Sequence, residues 1–313
     1  MKGSVNILAR SASQSSAVGK SSHIDRLYRV LKLFCAIIRS NKGGSFGLIV
    51  GFVICMCALF APILPVPQPT DIDLGLRLSA PTLSWAAVGA HPLGTDQLGR
   101  DVLSRIIFGG RITLLIGFLA IAVGGIVGVS AGIVAGYFGG VPERILMRII
   151  DIQLAMPLML LALLVVAALG PSVTNIILVM ALTSWVRYAR IIRGQVLLLR
   201  NRDFVMSAHA IGASNFRIMF RHLLPNVITS AIVVGTLELA RVIVMEAGIS
   251  FLGLGIQPPA ASWGLMLNEG RVYMSTAWWI STFPGMSIVL SVLSVNLVGD
   301  WLRDRLDPRL TRR

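Results

Sequence analysis

Residues 203–226 read DFVMSAHAIGASNFRIMFRHLLPN, a polar and basic stretch between long hydrophobic runs. Its first half predicts a short helix that ends at Gly212, because glycine readily adopts the left-handed conformation that closes a helix. Ser214 can cap a second helix by accepting a backbone N–H, and Pro225 is expected to end that helix. The pattern therefore predicts two short helices joined at a glycine, which we call the 203–226 loop.

The two halves of the 203–226 loop differ in a way that suggests a docking surface. Small residues before Gly212 allow another protein to come close, and the phenylalanines and arginines after it suit a groove in that protein. The alternative is a solvated basic loop that has no partner. The candidate contact residues are Ala208, His209, Ala210, Gly212, Ala213, Ser214, Phe216, Arg217 and Arg221.

The composition is that of a protein with many membrane spans. Of 313 residues, 55% are hydrophobic and 13% charged, and the mean hydropathy is +0.79. The net charge of +14 would suggest nucleic acid if it covered one surface. Instead, Lys and Arg cluster in residues 2–42, 187–221 and 303–313. The positive-inside rule places these three segments in the cytoplasm, so the charge indicates topology.

A bilayer requires about 20 apolar residues in a helix, and the hydrophobic runs predict six such spans. We expect an all-α fold with spans at about 46–64, 112–136, 146–168, 172–190, 227–248 and 278–298. In the second span, Gly124, Gly128, Gly132 and Gly136 form one stripe. Stripes of this kind let two helices pack closely, so we expect this one to be a helix contact.

The fifth predicted span contains Glu238, Arg241 and Glu246. Charged groups within a membrane are unfavourable and usually have a role. At about 100° per residue the three share one arc of the helix, which is expected to face a transport pathway or another subunit. The alternative is a structural Glu238–Arg241 pair that holds the helices together.

Other chemical motifs are weak. Residues 91–101 read HPLGTDQLGRD, in which Thr95 or Asp96 can cap a helix. The spacing of His91, Asp96 and Asp101 fits no usual metal site. Gly19-Lys20-Ser21 and Gly253-Leu254-Gly255 lack the remaining glycines and the setting of a nucleotide loop. Cys35, Cys55 and Cys57 show no metal-ligand spacing. We predict no catalytic residue, metal site or cofactor.

The 203–226 loop resembles the coupling loop of ABC importer permeases, although Met206 stands where that family has a glutamate. HPLGTDQLGRD, EAGISFLGLGIQPPAASWGLMLNEGR (246–271) and NLVGDWLRDRLDPRL (296–310) are similar to the C-type permease subunit of dipeptide, oligopeptide and nickel importers. The resemblance covers nearly everything from Phe46 onward. It implies the type I permease fold of ABC importers, with six transmembrane helices and a cytoplasmic coupling helix, in the bacterial inner membrane.

The resemblance also implies a set of partners and a division of the chain. The partners are a second permease in a heterodimer, two cytoplasmic ATP-binding subunits, an external substrate-binding protein, a peptide substrate and membrane lipid. The segments are a partly disordered cytoplasmic tail (1–45), the first span and external loop (46–110), the core permease domain (111–301) and a cytoplasmic tail (302–313). Both termini are expected in the cytoplasm.

Two questions stay open at this stage. The same machinery imports nickel chelates or glutathione in similar chains, so the substrate is undetermined. An ion-coupled carrier or channel is the alternative from another class. It would need a charged pathway of its own and no basic docking loop. A membrane enzyme is disfavoured because no reactive constellation is present.

Overall fold

Uncharged runs of the sequence form long helices in the computed structural model, which describes residues 42–82 and 91–306. Within these ranges the chain is helical and contains no β-strand beyond an isolated bridge between Thr95 and Asp101. The helices are α1 (Lys42–Leu59), α2 (Val102–Phe138), α3 (Gly140–Ala155), α4 (Leu158–Leu169), α5 (Val173–Leu199), α6 (Asp203–Ala210), α7 (Asn215–Phe251), α8 (Trp263–Gly270) and α9 (Trp279–Leu306).

Some sequence-based predictions lie outside the described residues. These are the partly disordered N-terminal tail up to residue 41, with Gly19-Lys20-Ser21 and Cys35, and the last residues, 307–313. Residues 46–82 and 91–306 belong to one compact unit. In this unit, α9 continues to Leu306, beyond the residue where the sequence predicted the C-terminal tail to begin.

Five helices in the described ranges are long and apolar enough to cross a membrane, namely α1, α2, α5, α7 and α9. The count reaches six if α3 and α4 together form one span, but the two meet at an angle of 91°. The span predicted over 146–168 is thus broken in its middle and begins earlier, at Gly140. Pro157 causes the break, because Met156 before it is extended (φ −89°, ψ 136°), as the residue before a proline prefers to be.

Helix α2 begins ten residues earlier than the predicted second span. Its N-cap is Asp101, whose side chain accepts the backbone N–H of Ser104 at 2.7 Å. The prediction that Thr95 or Asp96 caps this helix is wrong. The carboxylate of Asp96 instead accepts the backbone N–H of Arg100 at 3.0 Å, closing a turn at Gly99, which has a φ of +74°.

The glycine stripe of α2 packs against α5, which confirms the predicted helix contact. A Cβ atom on Gly124 would lie 2.9 Å from the carbonyl oxygen of Ala181, and one on Gly132 would lie 2.7 Å from that of Ala189. Real Cβ atoms do not come so close to backbone oxygens. The two helices thus approach each other at backbone distance because the stripe has no side chains.

Candidate functional site

The turn in the 203–226 loop has the geometry that its sequence predicts. Gly212 has a φ of +77° and follows α6 and its C-cap Ile211. The backbone N–H of Ala213 donates to the carbonyl of Ala208 at 3.0 Å, and that of Gly212 donates to the carbonyl of His209 at 2.9 Å. These two bonds form a Schellman motif, which satisfies carbonyls at the helix end.

The helix after the turn begins as predicted but does not end as predicted. The hydroxyl of Ser214 accepts the backbone N–H of Arg217 at 3.4 Å. Pro225 does not end this helix, so that prediction is wrong. The chain continues as one helix from Asn215 to Phe251, with a π-helical segment at Ile218–Leu223 just before the proline. A wider turn there accommodates a residue that has no N–H to donate.

One face of the 203–226 loop is part of the hydrophobic core. Val205, Ala208, Ile218 and Leu223 are at most 3% exposed and pack in one cluster with residues of α2 and α5. Ala208 therefore lies beneath the loop, where another protein cannot contact it in this conformation. Its small size allows α6 to lie close to the helix that follows. The loop is consequently a fixed structure.

The opposite face of the loop is exposed and carries aromatic and basic side chains. Phe216 and Phe220 are 66% and 54% exposed, and their ring centroids are 4.3 Å apart. Arg217 and Arg221 flank them and are also exposed, as are His209, Ala210, Gly212 and Ser214, while Ala213 is half-buried. An exposed aromatic pair on a rigid support, flanked by guanidinium groups, is suited to filling an apolar pocket in an acidic partner.

Tyr137, which the sequence analysis did not select, ties the end of α2 to the loop. Its hydroxyl donates to Oδ1 of Asn215 at 2.8 Å and lies 3.1 Å from Nε2 of His209. The Tyr137 and His209 rings are parallel, with centroids 6.0 Å apart. A hydroxyl that donates its proton to Asn215 can still accept a hydrogen bond from the His209 tautomer that carries its proton on Nε2. No sequence pattern predicts a contact between residues 72 positions apart.

The predicted pair of Glu238 and Arg241 is present and has a third member. Arg241 donates from Nε and Nη2 to Oε2 of Glu238, at 2.9 and 2.6 Å. Arg187 of α5 forms an ion pair with the other carboxylate oxygen, with 3.3 Å between Nε and Oε1. Glu238 itself is buried, at 2% exposure. We call these three residues the mid-span triad.

Glu246 occupies a different environment from the mid-span triad. It is fully buried and accepts hydrogen bonds from the hydroxyls of Thr113, at 3.1 Å, and Ser250, at 2.7 Å. The shared arc of Glu238, Arg241 and Glu246 was expected to face a pathway or another subunit. For the two glutamates the structure shows otherwise, because both are buried against helices of this chain.

A second buried charge network lies at the opposite end of α2 from the 203–226 loop. Asp96 accepts from Nε of Arg100 and Nη1 of Arg105, both at 2.6 Å. Arg105 also contacts Glu269 of α8 at 2.7 Å. His91 binds Asp101 through Nδ1 at 2.9 Å. We call Asp96, Arg100, Arg105 and Glu269 the external network; the charged residues of HPLGTDQLGRD and 246–271 provided its only sequence signal.

The long apolar helices, the mid-span triad and the 203–226 loop together define a class of protein. It is a polytopic membrane protein with charged groups at mid-span and a loop that has an exposed aromatic and basic face. Residues 128–312 match the family described as binding-protein-dependent transport system inner membrane component. The chain belongs to this family, and within it to the permeases of the dipeptide and oligopeptide ABC importers. It is thus a multi-pass inner-membrane transport protein with the all-α permease fold, as its sequence motifs predicted.

Several relatives are similar over nearly the whole chain. The di/tripeptide transport system permease protein DppC of Pseudomonas aeruginosa is 41% identical over 280 residues, covering 90% of this chain and 92% of the relative. The glutathione transport system permease protein GsiD of Pectobacterium atrosepticum is 44% identical over 273 residues, covering 87% and 89%. The dipeptide transport system permease protein DppC of Escherichia coli is 41% identical over 280 residues, covering 90% and 93%.

Proposed function

We propose that this chain is one of two permease subunits that together form the membrane pathway of an ATP-driven importer of di- or oligopeptides. ATP is hydrolysed by two separate cytoplasmic subunits, and a soluble binding protein delivers the peptide on the outer side. The names of the similar relatives, which include dipeptide and di/tripeptide permeases, support the peptide substrate. The chain itself contributes no catalytic residue.

The observation that carries the proposal is the two-sided character of the 203–226 loop. Its inner face is buried in the core, whereas Phe216 and Phe220 project from the outer face at more than half exposure. An apolar pair held rigidly in water is unfavourable for an isolated subunit and typical of an interface. The flanking arginines add charge complementarity to an acidic groove. The loop is therefore the docking surface for an ATP-binding subunit.

The experiment is co-purification of the ATP-binding subunit with the double variant Phe216→Ala and Phe220→Ala. We expect the variant to accumulate normally, because both rings are exposed, and to lose most of the bound ATPase and most uptake. Phe52→Ala is the matched control, because Phe52 of α1 is 58% exposed and far along the chain from the loop. Retention of the ATPase and of uptake by the double variant contradicts the docking role.

We further propose that the loop and both termini are cytoplasmic. The clusters of Lys and Arg before α1, around the 203–226 loop and at the end of α9 support this orientation. The segments 65–110 and 249–277, which include the external network, then lie outside. Residues 46–110 comprise the first span and its external loop, and 111–301 the core permease domain.

A second candidate substrate is glutathione, because a permease named for it is 44% identical to this chain. Glutathione is itself a small peptide, so the same pathway accommodates it; nickel chelates are a further possibility. The experiment is uptake of labelled dialanine, trialanine, glutathione and a nickel chelate by a strain that lacks the chromosomal copy. Uptake of dialanine or trialanine supports the proposal, and uptake of another compound alone replaces it with that substrate.

A further inference from the structure

The mid-span triad lies at a depth where charge requires an explanation. Arg187 lies roughly 20 Å from either end of α5, and Glu238 lies about 20 Å from the C-terminal end of α7 and about 35 Å from its start, at 1.5 Å per residue. A charged side chain at the centre of a bilayer is strongly unfavourable against lipid, and such groups face water or another protein. The surface around the triad is therefore not a lipid surface.

The triad carries a net charge of +1, because one carboxylate is shared by two guanidinium groups. Arg241 donates two hydrogen bonds to Glu238. Arg187 donates no hydrogen bond to that carboxylate. Its side chain is 49% exposed and approaches Glu238 only as an ion pair at 3.3 Å, and it donates no hydrogen bond to any residue in the described ranges. Its guanidinium fork is thus free to bind an acceptor from outside the chain.

A cavity of about 730 Å³ is lined by residues of α5, α7 and α9 and reaches Asn226 at the end of the 203–226 loop. Its end nearest the triad is lined by Ile191, one turn from Arg187, and by Leu237, next to Glu238 in the chain, although no triad residue lines it. Half of its lining residues are polar, namely Gln195, Asn226, Thr229, Ser230 and Arg303. Polar side chains along an open cavity favour water, so a hydrated space opens within one helical turn of Arg187.

We propose that Arg187 binds a carboxylate of the transported solute at mid-span, and that Glu238 and Arg241 are positioning residues that hold its guanidinium in place. This inference rests on the proposed transport function. Guanidinium and carboxylate groups form paired, bidentate hydrogen bonds, and every peptide with a free C-terminus offers such a group. The ligand class is therefore an anionic, carboxylate-bearing solute.

An acidic residue of a second permease subunit is the other group that could neutralise Arg187. The cavity argues against this arrangement. Contacts between membrane helices bring small residues together at backbone distance, as α2 and α5 do in this chain. Instead, a volume large enough for a small solute opens one helical turn from Arg187, at Ile191, and half of the residues that line it are polar. A partner acid remains an outcome that the experiment distinguishes.

The test compares uptake of dialanine with uptake of its C-terminal amide by the complete transporter in proteoliposomes with ATP inside. Any preference of the binding protein is the same for all variants, so the change in the acid-to-amide ratio reports on the permease. We expect Arg187→Gln to lower this ratio at least fivefold and Arg187→Lys to lower it less. Arg190→Gln is the matched control, because Arg190 lies in the same helix, is 51% exposed and pairs with Asp151 instead; its ratio should be unchanged.

Other outcomes overturn the inference. If Arg187→Gln lowers uptake of both peptides equally, the residue has no role specific to the carboxylate. If it leaves both unchanged, Arg187 does not contact the solute. If it reduces recovery of the second permease in the purified complex, the arginine serves an interface between subunits.

A second measurement does not depend on uptake. Gln195→Cys, in a chain whose three native cysteines are replaced by serine, should react with a membrane-impermeant anionic methanethiosulfonate, and dialanine should slow this reaction more than its amide does. An unreactive Gln195→Cys, or equal protection by both peptides, overturns the inference. If dialanine protects Gln195→Cys but no strain takes up peptide, the carboxylate site stands and the proposed transport function fails.

Discussion

At the scale of single residues, backbone conformation was easier to predict than burial. Gly212 was assigned a left-handed conformation from its place after a short helix, and its φ is +77°. Ala208 was assigned to an outer contact, yet it is 3% exposed. A small residue suits a tight contact on either side of a loop, so its identity does not tell which side faces the core. That information depends on how the loop lies against α2 and α5.

Gly212 gives a prediction about backbone conformation alone, because a side chain at this position would not collide with its surroundings. Among the described residues, and apart from its two chain neighbours, no atom lies within 4 Å of a Cβ placed there, so a side chain costs only backbone strain, about 1 kcal/mol for a residue forced into the left-handed region. We expect Gly212→Val to insert and accumulate normally but to lose most ATPase binding and uptake. Gly212→Asn is the control, because asparagine tolerates this conformation. Co-purification and uptake decide the question, and normal values for Gly212→Val would show that the turn is a linker.

The mid-span triad gives a prediction about stability, because its members should contribute unequally to it. Arg241→Met leaves Glu238 paired with Arg187, whereas Glu238→Gln leaves two guanidinium groups without a carboxylate. Removing one member of a buried ion pair costs roughly 3–5 kcal/mol, so we expect Glu238→Gln to lower the thermal midpoint of the purified protein more than Arg241→Met does. The double variant should lose less than Glu238→Gln alone, because it also removes Arg241, the more buried of the two unpaired guanidinium groups. A larger loss for Arg241→Met would mean that Arg187 does not compensate.

At the scale of helices, sequence patterns located the elements and misjudged their ends. Charge-free runs identified α1, α2, α5, α7 and α9. Two of the errors concern proline. Pro157 breaks the predicted third span, whereas Pro225 sits within a continuous helix behind a π-helical segment. A proline removes one donor in either case. Whether the helix then bends or widens depends on the packing around it, and local sequence does not contain that information.

The glycine stripe gives a prediction about helix packing. Gly132→Leu places a side chain where the carbonyl of Ala189 lies 2.7 Å from the Cβ position, so α2 and α5 must separate. We expect its level in the membrane to fall severalfold, as measured by immunoblot. Gly194→Leu is the control, because no described residue outside the surrounding turns of α5 has an atom within 4 Å of the Cβ position of Gly194, so this variant should accumulate normally. Equal levels for the two variants would contradict the packing described.

The hydrogen bonds of Tyr137 give a prediction about how α2 and the loop act together. Tyr137→Phe retains the ring that stacks on His209 and removes the hydroxyl that joins His209 to Asn215. A neutral hydrogen bond contributes about 1 kcal/mol, so we expect normal assembly with the ATPase but less peptide transported per ATP hydrolysed. Phe138→Leu, at the exposed neighbouring position, is the control. An unchanged ratio of transport to hydrolysis in Tyr137→Phe would leave the hydroxyl a purely local role.

At the scale of the whole molecule, motifs predicted the family, which the comparisons with relatives confirm, but they did not predict which distant residues meet. The external network joins residues 96–105 to Glu269, and the mid-span triad joins α5 to α7. In both cases the sequence showed charges in unusual places. Their partners became evident only from the packing of helices far apart along the chain.

The proposed topology predicts the compartment of three parts of the chain: the segment before α2, the 203–226 loop and the C-terminus. Reporter fusions after Arg313 and within the loop near Gly89 should report opposite compartments, with Arg313 inside. A fusion after Asn201, beside the 203–226 loop, is the control and should agree with Arg313. The same compartment for Arg313 and Gly89 would contradict the arrangement with six spans and would place the external network on the wrong side.

The unbroken helix from Asn215 to Phe251 has a mechanical consequence. Because Pro225 does not interrupt it, Phe216 near its start and Glu238 belong to one rigid helix. The two residues are roughly 33 Å apart along the helix axis, at 1.5 Å per residue. A tilt of this helix moves Phe216, Glu238 and Arg241 together, whereas Arg187 lies on α5 and does not move with them. A force applied to the loop therefore reaches the centre of the membrane as displacement of Glu238 relative to Arg187, which loosens or tightens the hold on that guanidinium.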